Sequence, residues 1–100
     1  MDVSNAIARV RFATVKPQRV HLNRTDHSDE ELICMEAGQS IHADQDTWSY
    51  YVIMGSAVAS AGKQSEPLSP GSFLAMKKDE AHTITNTNDS RLVLLAIKKS

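Results

Sequence analysis

The residues best placed for chemistry lie in one stretch, residues 38–55, which opens and closes on turn glycines, Gly38 and Gly55. Between them, His42, Asp44, Asp46, Trp48, Tyr50, Val52 and Met54 recur at alternate positions. Strand side chains point to opposite faces with a period of two. In an unbroken strand these residues share one face, with imidazole and carboxylate at one end and large apolar groups at the other. Apolar walls with a few polar anchors are the make-up of a binding-cavity lining. The loop-like run 42–46 is where this phase would break.

The remaining reactive side chains read more plainly. Cys34 sits between Ile33 and Met35 in an apolar strand, and a reactive thiol needs an accessible, electropositive setting. It reads as a small buried hydrophobe. His27, beside Asp26, Asp29 and Glu30, reads as part of a solvated loop. His21 points outward together with Arg19, and Lys77 and Lys78 form a solvated turn. The chain carries no Gly-x-Ser-x-Gly elbow, no phosphate-cradling glycine loop and no Cys-x-x-Cys pair.

These side chains need a scaffold of short strands. Alternation and turn residues place strands at 19–23, 31–36, 39–43, 48–54, 56–61, 72–76, 82–86 and 92–97. A polar loop is expected at 25–30, a hairpin turn at 61–64, and at 66–71, with two prolines and a glycine, a turn region with at most an edge strand. Residues 1–16 read as a helical turn over 6–10, capped by Ser4 or Asp2, then an extended segment. No strand alternates with a long helical pattern, so the fold class is all-β, a sandwich or barrel.

Length and composition bound the rest. One hundred residues suggest one domain, 1–100, with 1–18 as an N-terminal extension and 19–98 as the barrel. A net charge of −1 gives no basic excess to recruit nucleic acid. One cysteine excludes an intrachain disulfide. No apolar run approaches the roughly 18 residues of a membrane span. Residues 1–5 lack the basic and apolar regions of a signal peptide, so the expected compartment is cytoplasmic.

Gly71, His82 and Asn86 stand at the spacings of the second cupin motif, with Lys77 where that motif has proline and Asp79 where it has its second glycine. The first motif is eroded. His42 lies thirteen residues before Gly55, Asp44 takes the second histidine position, and Trp48 (Thr47 if the register slips by one) takes the acidic position. Measured from Gly38 instead, Asp44 takes the first histidine position. Over most of its length the chain thus resembles a small single-domain cupin, an RmlC-like double-stranded β-helix or jelly roll.

The resemblance implies a barrel cavity for a small-molecule ligand, lined by His42, Trp48, Tyr50, Met54, Met76 and His82. It also implies one divalent metal, iron, manganese, nickel or zinc, held by His42, Asp44 and His82. Trp48 cannot ligate, so a site with no cofactor is the other outcome. Cupins of this size usually form homodimers through the outer face of one sheet or through swapped terminal strands. Three functions follow. The leading one is a ligand-binding or sensory module. The second is a metal-dependent enzyme of the dioxygenase, isomerase or decarboxylase type, using His42, Asp44 and His82. The third is an inert dimerisation domain.

Overall fold

Period-two alternation builds nine strands, and the computed structural model describes them within residues 1–100. They are β1 (Gln18–Arg24), β2 (Ser28–Met35), β3 (Ser40–Ala43), β4 (Thr47–Met54), β5 (Ala57–Ala61), β6 (Gln64–Leu68), β7 (Phe73–Ala75), β8 (His82–Thr85) and β9 (Leu92–Lys99). One sheet runs β1-β2-β9-β4-β7 and the other β3-β8-β5-β6. The strand pairs are antiparallel.

The two sheets enclose the main core. The five-stranded sheet contributes Ile33, Tyr50, Val52, Leu92 and Leu94, and the four-stranded sheet Ile41, Ala57, Ala59 and Ile84. Each fully buried large aliphatic side chain contributes about 1.5–3 kcal/mol. A second, smaller cluster lies on the outer face of the larger sheet. Leu32, Cys34 and Val93 are covered there by Ala6, Val10 and Phe12 of the N-terminal segment. Cys34 is fully buried, and burial pushes its thiol above the ordinary value of 9.0, so it packs as a hydrophobe.

The expected helical turn is present as a 3-10 helix, Ile7–Arg9, but neither Ser4 nor Asp2 caps it: Asn5 Oδ1 accepts the Ala8 N–H at 3.2 Å. Docking of Val10 and Phe12 onto the sheet sets the course of the N-terminal segment more than helix propensity does. β2 begins at Ser28, inside the stretch expected to be loop. Asp29 and Glu31 enter this strand despite the poor strand preference of acidic residues, because arginines of β1 pair with both. β6 is an edge strand and so accommodates Pro67, which has no N–H to give a neighbour.

Two aspartates close the end of the barrel near the site. Asp46 and Asp79 both have left-handed backbone, φ 69° and 58°. The Asp79 N–H donates to the Asp46 carbonyl at 2.9 Å, and the Asp46 N–H donates to Asp79 Oδ1 at 2.8 Å. Aspartate is one of the few L residues that enters this region readily. Asp79 thus does the conformational work of the glycine that the second motif has at this position.

Candidate functional site

The inner face of β4 sets the site. Trp48, Tyr50 and Val52 point into the barrel, and the Trp48 and Tyr50 rings stack at 5.7 Å, within 4° of parallel. Opposite them, β8 turns His82 inward, 3% exposed. Tyr50 Oη lies 2.7 Å from His82 Nε2, and His82 Nδ1 lies 2.7 Å from the Glu80 carbonyl oxygen. A carbonyl can only accept, so Nδ1 carries the proton. In the Nδ1–H tautomer Nε2 accepts, and the Tyr50 hydroxyl donates to it. Burial pushes the Tyr50 phenol well above its ordinary value of 10; the Arg19 charge opposes this and the Glu31 charge adds to it. Tyr50 is therefore a neutral donor at physiological pH and not a base.

A pocket of about 120 Å³ opens beside this pair, between the β5–β6 hairpin and the segment from Leu74 to His82. Ala59, Ala61, Leu74 and Met76 form its apolar wall, and Ser60, Gln64, Glu66, Glu80 and His82 its polar one. Neither lysine nor arginine lines it. It is smaller than the roughly 300–1,000 Å³ of pockets that enclose drug-sized ligands.

Of the residues expected around the cavity, the structure brings His82 and Met76 to the pocket and sets Tyr50 and Trp48 behind them. His42 and Met54 are elsewhere. In β3, Ile41 faces the core, so His42 is exposed on the outer face, where Nδ1 lies 3.1 Å from Thr83 Oγ1. Its cross-strand neighbour is Thr83, whereas His82 pairs with Ala43. His42 and His82 thus stand on opposite faces of one sheet. Met54 is 41% exposed because a register shift between Val52 and Met54 pairs it with Val93, on the outer face. Asp44 is exposed in the β3–β4 connection.

A second polar group lies across the same sheet. Arg19 and His21 pair with Ile33 and Glu31, so this face of β1 continues the inner face of the barrel rather than turning away from it. His21, 55% exposed at its side chain, has Nδ1 3.1 Å from Asp29 Oδ1 and 3.8 Å from Glu31 Oε2. Arg19 bonds Glu31, and Arg24 bonds Asp29 at 3.1 Å. Burial alone would raise the Asp29 carboxyl. The hydrogen bonds from His21 and Arg24, with their charges, outweigh it and hold the group below its usual 3.8. Asp29 is therefore paired here and is not part of a loop around His27.

The sequence matches no protein-family model and no curated protein. Solved structures do match. A Thermus thermophilus protein superposes with TM-score 0.92 at 19% identity, covering 99% of this chain and 97% of its own. A Klebsiella pneumoniae protein described as having a double-stranded β-helix domain gives 0.88 at 19% identity, over 99% and 90%. A cupin superfamily protein from Desulfitobacterium hafniense gives 0.85 at 19% identity, over 99% and 92%.

The chain has the cupin fold.

Within this cupin-fold chain, the metal set drawn from the motifs does not assemble. His42 is exposed on the outer face and Asp44 in the β3–β4 connection, and the core-facing residue of β3 between its ends is Ile41. His82 faces inward, but Tyr50 and Glu80 occupy both its ring nitrogens. These residues do not fit a metal held by His42, Asp44 and His82. The cluster of His21, Asp29 and Glu31 escapes motif reading because none of the three lies in either cupin motif. Its signal was cross-strand complementarity: Arg19 and His21 alternate on one strand, Asp29 and Glu31 on its neighbour.

Proposed function

We propose that this cupin domain is a small-molecule-binding module whose ligand enters the pocket between the β5–β6 hairpin and the segment from Leu74 to His82. The observation that carries this reading is the pocket lining: an apolar wall facing Glu66, Glu80, Gln64 and Ser60, closed at its base by a histidine locked in one orientation. Carboxylates with no lysine or arginine among the other lining residues accept hydrogen bonds and repel anions. The lining therefore favours a small hydroxylated or cationic molecule, or one such end of a larger molecule, over a phosphate or carboxylate. Catalysis is the weaker reading, since Tyr50 stays protonated and His82 has no free nitrogen.

The test is a thermal-shift and Trp48-fluorescence screen of small polyols, amines, phosphates and carboxylates. Saturable binding of a polyol or amine, lost in Ala61→Leu with the fold retained, is the expected result. Preference for anions, or binding that persists in Ala61→Leu, would overturn the reading.

We also propose that two copies associate through the outer face of the five-stranded sheet. Tyr51 and Phe73 are cross-strand neighbours there, 42% and 62% exposed, and Leu95 flanks Tyr51 on its other side. Adjacent exposed aromatics on a sheet face favour association. Phe73→Glu is expected to convert a dimer to a monomer in sedimentation velocity. A wild-type chain that sediments as a monomer at 100-micromolar order would refute the dimer.

A further inference from the structure

The group at the β1–β2 rim is chemically unlike the pocket around His82. Asp29 and Glu31 lie two residues apart on β2, on one face, and His21 is the direct cross-strand partner of Glu31. One ligand atom from each of the three residues lies within 4.8 Å of the other two. Both carboxylates are buried, with side chains 11% and 6% exposed, while the imidazole is open to solvent. An imidazole with two carboxylates offers three ligand atoms on one side and leaves the other side free for water.

Two guanidinium groups now balance the two carboxylates. Arg19 holds Glu31 and Arg24 holds Asp29. Both guanidinium groups reach solvent, their side chains 39% and 66% exposed, although Arg19 also lies 5.7 Å from the centre of the Trp48 ring and Arg24 Nη2 lies 3.4 Å from His21 Nε2. A metal would displace these contacts while the carboxylates stay fixed in the sheet. The charge the two arginines carry equals that of one divalent ion. A cleft of about 280 Å³ lined by Arg24, Thr25, Ser28, Asp29, Lys98 and Ser100 leads to Asp29 from solvent. Lys98 is the cross-strand neighbour of Asp29 but lies 5.9 Å from the centre of the Trp48 ring, directed to that aromatic face.

We infer that His21, Asp29 and Glu31 form a divalent transition-metal site, kept closed in the metal-free chain by Arg19 and Arg24. The imidazole selects zinc or manganese over calcium, which prefers an all-oxygen shell. The arginines act as competing cations. Metal entry exchanges two salt bridges for three coordinate bonds, and removing a competitor strengthens binding. A network of structural ion pairs would respond in the opposite way, losing stability and gaining no affinity.

The experiment is calorimetric titration of zinc chloride and manganese chloride into the full chain, with calcium chloride for comparison. The expected result is one zinc or manganese per chain, weaker calcium binding, and tightening in Arg24→Ala by roughly two- to fivefold, the worth of one exposed ion pair. His21→Ala and Glu31→Gln are each expected to weaken binding by at least about tenfold. Because a β2 substitution could perturb folding, manganese-induced broadening of amide signals in the unmodified chain gives a second readout. It should centre on residues 21, 29 and 31. No binding at millimolar metal, binding unchanged in His21→Ala, or broadening centred on His27 or His42 would each overturn the site.

Discussion

Gly55→Ala is expected to cost about 3 kcal/mol or more and to lower the melting temperature by on the order of 15 °C. Gly55 has φ +84°, so any L side chain there carries left-handed strain. The added Cβ would also press on backbone: it would overlap the Arg91 carbonyl oxygen and sit 2.9 Å from Leu92 Cα. Neither atom can swing away, because β9 begins at Leu92 and lies at the centre of the five-stranded sheet. Gly62 separates the two causes. Its φ is +59°, but nothing lies within 4 Å of a Cβ placed there. Gly62→Ala should therefore cost only the conformational part, about 1–2 kcal/mol. Circular-dichroism melts of both variants test the difference, and equal losses would show that the close approach to β9 contributes nothing.

Asn86→Ala is expected to destabilise the fold by about 2–4 kcal/mol. Asn86 is fully buried at the end of β8. Its Nδ2 donates to the Met35 carbonyl at 3.2 Å and to the Ser90 carbonyl at 2.8 Å, and its Oδ1 accepts the Asn88 N–H at 3.1 Å. One amide thus ties the end of β2 to the β8–β9 turn. Alanine leaves those groups without their partner and leaves a void. Asn86→Asp keeps the shape but supplies only acceptors, and so places a carboxylate against two carbonyls. It should be at least as destabilising as alanine in urea unfolding. An aspartate variant near wild-type stability would mean that Asn86 serves by volume alone.

Both residues stand at motif positions that are visible in the sequence, and both carry structure here rather than chemistry. Of the three residues at motif spacing, Gly71 has left-handed backbone, His82 bonds Tyr50 and the Glu80 carbonyl, and Asn86 supplies the amide tie, none of which requires a metal. The departures are equally physical. Asp79 replaces a glycine because aspartate tolerates left-handed backbone and can bond Asp46 in return. At the acidic position Trp48 fills the barrel by stacking on Tyr50. The cupin fold was therefore legible while the ligand set read from the same motifs was not.

Local pattern determined where strands run, where they turn, and which residues of one strand share a face. Trp48, Tyr50 and Val52 were grouped by parity alone and do line the barrel together. Parity is relative, however, and a shift of one residue reverses it. The break between β3 and β4 left His42 outside, and the irregularity after Val52 turned Met54 outward. Pairing between strands is a long-range matter that no single segment encodes. Only the packed sheet placed the polar face of β1 beside two buried carboxylates, and so gave His21, Asp29 and Glu31 a common site.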